Sequence, residues 1–492
     1  ASDVYKRQFI FLFIYSLNVQ AKVVLPTIYS DGMVLQRNQP IRIWGQAAPK
    51  EKVIVTFAGQ QQVVNANTDG HWETRLSPLK EGGPYELQVL GKENQIEIKD
   101  ILIGDVWLCS GQSNMQWVVN NVTNAEIEKK NANYPQIRTL NVPRRMELVP
   151  IDTINAKWTV CSPETVGSFS GVAYFFAKKV HEETHIPIGI INSSWGGTII
   201  ETWTSLEASN SISSEHLNCY TKEDKLLPPT KYFALKNKKA ARNDYPSLVY
   251  NAMIHPLLSL SIKGVIWYQG ENNVGNAEPY TDWLTCMIGD WRQRWKTELP
   301  FYIIQLPNFD SINKKPLWAE IREAQYKALS VSDTHLIVTS DLGEPHDLHP
   351  HNKQDIGMRV ALQVLHHEYN RTDIFSESPM YQQMEIKGNK VVITFKNTGS
   401  GLEIRSRYGC LQGFSIAGED KTFHWAQAQL KGNQVIVWSP NVTHPIAVRY
   451  NWENNPDGNL YNKDGLPACL FRTDNWLSLI HISEPTRHLR IS

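Results

Sequence analysis

Residues 22–100 alternate apolar and polar positions over short stretches. This period of two is typical of strands with one buried face. Clusters of Gly, Pro, Asn and Asp separate the stretches and indicate turns. Residues 22–100 are therefore predicted to form a small antiparallel β-sandwich. The alternating stretches are 41–45, 53–57 and 85–90, and the turn clusters are 67–70 and 81–84.

A different rhythm begins near residue 101, where short, continuous apolar runs alternate with longer stretches of helical spacing. Continuous runs are typical of parallel strands that are buried on both faces. We therefore predict an α/β domain over 101–372, with helices covering a parallel sheet. The period of two returns over 373–476, which predicts a second β domain. The predicted strands are 101–109, 187–192, 264–268, 301–306 and 335–340, and the predicted helices are 171–183 and 280–295.

The two ends and one internal stretch are interpreted separately from the fold. Residues 1–8 and 477–492 resemble translations of a sequencing adapter in opposite orientations, and we interpret them as scars. Residues 9–21 run from an apolar stretch to a small residue, which is typical of the end of a secretory signal. We therefore expect export to the periplasm or the extracellular space. The polar, Lys-rich stretch 205–245 is interpreted as a surface insertion.

Composition and charge narrow the function classes. Lys plus Arg and Asp plus Glu both number 49, so the formal net charge is zero. This balance provides no electrostatic attraction to nucleic acid or to an anionic membrane surface. Beyond the leader, no segment has the roughly 20 apolar residues of a membrane-spanning helix. None of the six cysteines forms a Cys-x-x-Cys pair, which excludes zinc ribbons and thioredoxin-type redox sites.

The first candidate for chemistry is Ser113, which follows a predicted buried strand and a glycine-containing turn. A serine at this point lies at the carboxyl edge of the sheet, where backbone N–H groups can stabilise an oxyanion. Serine is also a common helix N-cap, and this structural role is an equal alternative for Ser113.

The second candidate is the histidine-rich segment 341–351, directly after the strand predicted to end near residue 340. Asp347 precedes His349 by two residues, and such a pair can supply a general base and its orienting carboxylate. Two alternatives remain. His346, His349 and His351 could bind a metal, although they follow no common ligand spacing, or the histidines have no role.

Two further strand ends carry polar or glycine residues. Gln269 and Asn272 follow one strand and could donate side-chain hydrogen bonds to an oxyanion, and Glu271 between them could orient other groups. Gly196 and Gly197 follow another strand, and glycine lets the backbone approach a substrate closely. All of these strand ends are predicted to meet at one edge of the sheet, where open α/β folds bind their ligands.

Taken together, these segments resemble the sialate O-acetylesterase family of the SGNH hydrolase superfamily, over nearly the whole of 22–476. The matching motifs are Ser-Gly-Gln-Ser-Asn-Met at 110–115, Ser-Ser-Trp-Gly-Gly at 193–197, Trp-Tyr-Gln-Gly-Glu at 267–271 and Asp-Leu-His-Pro at 347–350. Asp-Gly-Met-Val-Leu-Gln at 31–36 and Asn-Leu-Tyr-Asn-Lys-Asp-Gly-Leu-Pro at 459–467 are similar to the family's opening and closing segments.

The resemblance implies an α/β/α three-layer sandwich with a parallel sheet, flanked by two β-sandwich-like domains. It also implies a Ser–His–acid esterase that acts without a metal or other cofactor. Ser113 is then the nucleophile and His349 the general base. The oxyanion hole is expected to use the Ser113 N–H, an N–H of Gly196 or Gly197, and a side chain of Gln269 or Asn272.

The acid is the member for which this sequence departs from the superfamily pattern. An Asp usually lies three residues before the catalytic His, but His346 occupies that position here. Asp347 is the nearest candidate, with Glu271 and Asp341 as alternatives. The Gly-Glu-Asn-Asn of 270–273 also lacks the final Asp of the usual Gly-x-Asn-Asp.

The expected substrate is O-acetylated sialic acid, with acetylxylan or another acetylated glycan as the alternative. A protein of a different class, which binds carbohydrate through Trp117, Trp195 and Trp203 around an inactive core, is a further alternative. No nucleic acid partner is expected, and the sequence predicts no oligomeric state.

Overall fold

The computed structural model of the protein describes residues 22–212, 245–310, 315 and 317–476. The predicted scars, the predicted leader and most of the Lys-rich stretch 205–245 lie outside the described residues.

Strands dominate the two ends of the described chain, and helices lie between them. The strands are β1 (Val34–Gln36), β2 (Ile41–Gln46), β3 (Lys52–Phe57), β4 (Gln60–Asn65), β5 (His71–Leu76), β6 (Gly82–Leu90), β7 (Gln95–Gly111), β8 (Tyr134–Asn141), β9 (Trp158–Cys161), β10 (Ile188–Ser194), β11 (Gly264–Tyr268), β12 (Phe301–Ile304), β13 (Thr334–Ile337), β14 (Met380–Lys387), β15 (Lys390–Lys396), β16 (Leu402–Ile404), β17 (Phe414–Ala417), β18 (Phe423–Trp425), β19 (Gln427–Lys431), β20 (Gln434–Trp438), β21 (Ala447–Tyr450), β22 (Leu460–Asn462) and β23 (Phe471–Arg472). The α-helices are α1 (Ser113–Gln116), α2 (Ala125–Asn131), α3 (Gly171–Thr184), α4 (Leu206–Ser209), α5 (Ala277–Trp295), α6 (Leu317–Lys327) and α7 (Lys353–Glu368).

The central part of the fold is a large mixed sheet whose strands run in the order β13-β12-β11-β7-β10-β8-β9. Each neighbouring pair from β13 to β8 is parallel, whereas the edge strand β9 runs antiparallel to β8. The parallel sheet is thus confirmed for the five predicted strands, and β8 adds a sixth parallel strand that was not predicted. The antiparallel edge was not foreseen, since β9 is short and only two of its residues are buried.

Strand β7 joins the N-terminal strands to this sheet. Its first half pairs antiparallel with β6 and alternates in burial, whereas residues 101–111 are continuously buried. The strand therefore crosses the predicted boundary at 100/101. In the described chain the N-terminal strands share one hydrophobic core with the α/β part, so the predicted sandwich is physically continuous with the central sheet.

Helices cover both faces of the central sheet. Trp107 of β7 packs edge-on against Phe176 of α3, and α3 packs along α7. Gly264 of β11 lies beside Trp107 in register. Trp267, three residues on, therefore faces the opposite side, where it packs against Trp291 of α5. A layer of helices on each side of a sheet is the arrangement expected for the predicted α/β class.

The C-terminal strands have a separate hydrophobic core. Two four-stranded antiparallel sheets, β14-β15-β20-β19 and β18-β17-β21-β23, supply most of its residues. The period of two in β20 places Val435 and Val437 in that core and its other residues towards the surface. The second β region was thus readable from the sequence pattern.

The structure also bears on membrane-spanning helices and on the cysteines. No helix among the described residues is long and apolar enough to cross a membrane. The described cysteines are free thiols, and four of the five are at least half-buried; they are Cys109, Cys161, Cys286, Cys410 and Cys469.

Candidate active site

Ser113 lies where β7 ends and α1 begins. Gly111 pairs in register with both Ser194 of β10 and Tyr268 of β11, so three strand ends meet at this point. Gly111 has φ +135°, and a Cβ there would lie 2.1 Å from the carbonyl oxygen of Tyr268. Only glycine fits this turn. Gln112 is the N-cap residue of α1, and Ser113 is the first helical residue. The N-cap alternative for Ser113 is therefore wrong, and the side chain of Gln112 makes no cap hydrogen bond.

Gly196 lies directly beside the serine. A Cβ on Gly196 would be 3.1 Å from the Cβ of Ser113. The Gly196 N–H donates to Oε1 of Gln116 at 2.8 Å. The neighbouring Gly197 accepts a hydrogen bond on its carbonyl oxygen from Nδ2 of Asn272 at 3.0 Å. The two predicted glycines therefore lie at the serine, with the Gly196 N–H directed at a side-chain acceptor.

Gln269 and Asn272 differ in their surroundings. Gln269 is fully buried, and its Nε2 donates to Asn273 Oδ1, the Thr198 carbonyl oxygen and Gln112 Oε1 at 2.8–3.2 Å. Its Oε1 accepts from the Tyr280 hydroxyl at 3.0 Å. Asn272 is exposed. The Gln269 amide thus stabilises the turn after β11 from within the core, whereas the side-chain amide of Asn272 is accessible from solvent.

The histidine loop reaches the serine through Trp117. The His349 ring stacks on the Trp117 ring, with centroids 4.9 Å apart and planes 14° from parallel. Trp117 in turn donates its backbone N–H to the Ser113 carbonyl oxygen at 2.9 Å. Burial and the nearby charge of Lys353 lower the pKa of His349, while Asp347 acts in the opposite direction. His349 is consequently neutral over more of the pH range than an ordinary histidine.

Asp347 contacts His349 mainly through the backbone. Its Oδ1 accepts the His349 N–H at 2.8 Å but lies 3.9 Å from the ring nitrogen Nδ1. A carboxylate at this distance favours the imidazolium form without a direct hydrogen bond to the ring.

The two alternative acids, Asp341 and Glu271, form hydrogen bonds or ion pairs with other residues. Asp341 binds Arg359 through both oxygens at 2.6 and 2.7 Å and accepts from the Tyr461 hydroxyl at 3.0 Å. Glu271 is buried, and its Oε1 accepts from Asn114 Nδ2 at 2.5 Å. Burial raises the pKa of Glu271, and the hydrogen bond from Asn114 opposes that shift. Neither carboxylate has a hydrogen bond to His349 among the described contacts.

Lys353 is the residue of this site that the sequence analysis missed. It is the first residue of α7 and is fully buried, and its Nζ donates to Asn114 Oδ1 at 2.5 Å. The same Asn114 side chain donates to Glu271 and to the Leu348 carbonyl oxygen. Burial lowers the pKa of Lys353 to about 7, with the charge of Glu271 acting against that shift. Asn114 therefore joins the serine turn, the glutamate turn and the histidine loop.

The three histidines proposed as metal ligands do not come together. His346 is exposed, and His351 pairs instead with Glu344. Glu344, Asp347 and His351 do bring ligand atoms within 4.8 Å of one another. Glu344 Oε1, however, accepts both the backbone N–H and Nδ1 of His351. Hydrogen bonds within the loop thus account for this group.

The tryptophans proposed as sugar-stacking platforms also differ. Trp203 is fully buried and packs against Trp267, so it belongs to the core. Trp117 and Trp195 are only half-buried. The predicted carbohydrate surface is therefore reduced to two of its three residues.

Comparison with known proteins identifies the family. Residues 103–366 match the family model described as carbohydrate esterase, sialic acid-specific acetylesterase, which is more than half of the chain. The chain belongs to this family of carbohydrate esterases. It is accordingly a carboxylic ester hydrolase, as the motifs predicted.

Individual relatives of this carbohydrate esterase extend the match beyond the family model. A sialate O-acetylesterase from Homo sapiens is 31% identical over 474 residues, which cover 87% of each chain. One from Mus musculus is 28% identical, over 87% of this chain and 89% of the relative. The crystal structure of a carbohydrate acetylesterase from Xanthomonas citri superposes with a TM-score of 0.83 at 38% identity, over 92% of this chain and 100% of that one.

Proposed function

We propose that this carbohydrate esterase removes O-acetyl groups from sialic acids through a Ser113–His349–Asp347 mechanism. The observation that carries the proposal is the convergence of Ser113, Gly196 and the Trp117–His349 stack at one edge of the sheet. The names of the human and mouse relatives support the substrate class.

In this mechanism His349 takes the hydroxyl proton of Ser113 as Oγ attacks the acetyl carbonyl carbon. The tetrahedral intermediate collapses when His349 returns the proton to the departing sugar hydroxyl, which leaves an acetyl group on Ser113. Water then attacks the acetyl-enzyme with His349 again as base. The bond between the acetyl carbon and Ser113 Oγ breaks, His349 returns the proton to Oγ, and acetate leaves. The lowered pKa of His349 keeps the base neutral and ready to accept the proton.

The oxyanion of each tetrahedral intermediate needs donors near Ser113. We assign the N–H groups of Ser113 and Gly196 and the side chain of Asn272 to this role. The Gly196 N–H now faces a side-chain oxygen of Gln116, an acceptor that an oxyanion can replace. Asn272 is preferred to Gln269 because the Gln269 amide is bound within the core. Removing one such donor costs roughly 10²–10³ in rate.

Asp347 is assigned as the acid because it is the carboxylate closest to His349 in the described loop. Its Oδ1 lies 3.9 Å from Nδ1, and catalytic hydrogen bonds are often long in the absence of substrate. Export of the protein, expected from residues 9–21, stays a prediction.

The test is acetate release by the protein and by Ser113→Ala, from 9-O-acetylated sialic acid and from acetylated xylan, with EDTA present. We expect release from the sialoside, and loss of that release in the variant with an unchanged circular dichroism spectrum. Release from xylan alone would retain the mechanism and assign the substrate to plant glycans. Failure to release acetate and to react with a fluorophosphonate probe would favour the carbohydrate-binding alternative.

A further inference from the structure

A second cluster of ligating side chains lies outside the active site. His335 belongs to β13, His367 lies in the last turn of α7, and Glu377 lies in the segment that leads into β14. One ligand atom from each falls within 4.8 Å of the others. Three separate segments thus bring two imidazoles and a carboxylate together, although 32 and 10 residues separate the members along the chain.

Ring contacts and a backbone hydrogen bond position these three residues, of which His367 is exposed and the other two are half-buried. The His335 ring is stacked on Tyr302, with centroids 4.8 Å apart and planes 17° from parallel. The His367 ring lies 4.1 Å from the His335 ring. The backbone oxygen of Glu377 accepts from Asn462 Nδ2 at 3.0 Å, which ties this segment to β22. Ligands held in this way lose little conformational freedom when they bind an ion.

The distance between the ligand atoms of His367 and Glu377 is close to that in a metal coordination shell. His367 Nε2 lies 3.0 Å from Glu377 Oε1. In a tetrahedral zinc site with bonds of about 2.0–2.1 Å, neighbouring ligand atoms are roughly 3.3 Å apart. The His367–Glu377 pair therefore needs to open by only a few tenths of an ångström.

A carboxylate also orients the His335 ring. Asp333 Oδ1 lies 3.2 Å from His335 Nε2. When Nε2–H donates to this carboxylate, the lone pair of Nδ1 remains for a metal, and metal-bound histidines commonly donate their other N–H to a carboxylate, a backbone carbonyl or water.

We propose that His335, His367 and Glu377 form a binding site for a divalent transition-metal ion of the zinc type, with Asp333 orienting His335. Two imidazoles select zinc, cobalt, nickel or copper over magnesium and calcium, which prefer all-oxygen shells. The ion links the start of β13 and the end of α7 to the segment that enters the C-terminal strands.

This site is remote from the esterase chemistry. Lys353, beside Asn114, begins α7, and His367 lies 14 residues further along. At a rise of 1.5 Å per residue the two are separated by about 21 Å. The ion therefore stabilises the fold, and esterase turnover does not depend on it.

The test uses the untagged full-length protein after removal of metal with EDTA and dialysis. We expect saturable binding of Co²⁺ with the visible absorption of a tetrahedral site, displacement by Zn²⁺, and no displacement by Mg²⁺ or Ca²⁺. Zn²⁺ should also raise Tm. The variants His335→Gln, His367→Gln and Glu377→Gln should each weaken binding by more than the roughly 10–100-fold loss that is typical when an outer-shell residue is removed.

Controls separate this site from others and from misfolding. His444→Gln removes an exposed histidine elsewhere and should bind as the parent does. Esterase turnover and circular dichroism should match the parent in all four variants. The proposal is overturned if the parent binds neither ion at millimolar concentration, or if the three variants bind normally. It is equally overturned if His351→Gln, rather than His367→Gln, abolishes binding.

Discussion

At the scale of single residues, the proposed acid and base differ from a tightly bonded pair. Asp347 holds the backbone N–H of His349 at 2.8 Å and stays 3.9 Å from Nδ1. The buried Glu271, by contrast, is bonded to Asn114. Asp347 therefore interacts directly with the imidazolium ion of His349. Glu271 instead contacts Asn114, which holds the turns that carry Ser113 and His349.

Asp347→Asn should lower kcat by about 10²–10⁴, since the imidazolium formed during acyl transfer loses its carboxylate. Because Asp347 raises the pKa of His349, its removal should also move the acidic limb of kcat/KM to lower pH. Glu271→Gln is the matched comparison and should reduce kcat less. Steady-state kinetics between pH 4 and 8 measure both effects. A larger loss in Glu271→Gln would assign the acid to Glu271.

Lys353→Met should lower kcat and shift the pH dependence of the reaction in the direction opposite to that expected for Asp347→Asn. The charge of Lys353 lowers the pKa of His349, so its removal should move the acidic limb to higher pH. Loss of the bond to Asn114 should cost about tenfold in kcat, the lower end for a charge-assisted hydrogen bond.

Lys327→Met is the control, because Lys327 lies at the surface of α6. An unshifted acidic limb in Lys353→Met would contradict the assigned electrostatic role of Lys353, even if kcat fell.

At the scale of elements, the turns after parallel strands create the site. Strands β7, β10 and β11 end in register at Gly111, Ser194 and Tyr268. After each of these strand ends, the backbone turns sharply within one or two residues. Glycine provides the close approach of backbone at two of these turns, at Gly111 and Gly196.

Gly196→Ala should reduce kcat by at least about tenfold while the protein stays folded. The new Cβ would lie 3.1 Å from the Ser113 Cβ and 3.4 Å from Gln116 Oε1, so the serine or the turn must shift. Gly289→Ala in the exposed part of α5 is the control, since its Cβ meets nothing within 4 Å.

The control should leave kcat unchanged and raise the free energy of unfolding by about 0.5–1 kcal/mol. Urea denaturation and acetate-release kinetics measure the two variants. Normal turnover in Gly196→Ala would mean that the turn at Gly196 does not lie against the reacting groups at Ser113.

At the scale of the whole molecule, Asp341 links three parts of the chain. It follows β13, binds Arg359 of α7 with both oxygens and accepts from Tyr461 of β22. The segment that carries Asp347 and His349 begins at this junction. The C-terminal strands thereby support the histidine loop although they lie outside the central sheet.

Asp341→Asn should lower the free energy of unfolding by about 3 kcal/mol, because the largely buried guanidinium of Arg359 loses its counter-charge. Tyr461→Phe should cost about 1 kcal/mol, as expected for one hydrogen bond. Urea denaturation measures both. Well below Tm, kcat of Asp341→Asn should fall much less than that of Asp347→Asn. The opposite order would make Asp341 the catalytic acid.

The sequence by itself determined the family, many of the strands and helices, and the edge at which the candidate residues meet. Residues 264–268 and 53–57 were predicted within the bounds of β11 and β3. These predictions succeeded because burial period, glycine turns and short motifs are local properties of the chain. The sequence did not predict that β7 continues across residue 100, because no local pattern shows that two strand segments without a turn between them form one strand.

The tertiary structure alone decided which side chains are partners. Asn114 meets Glu271 from 157 residues away and Lys353 from 239 residues away. It also separated the buried amide of Gln269 from the exposed one of Asn272, and it brought His335 to His367 and Glu377. The physical reason is that local patterns set burial and backbone direction, whereas hydrogen-bond partners across the chain depend on how sheets, helices and loops pack together.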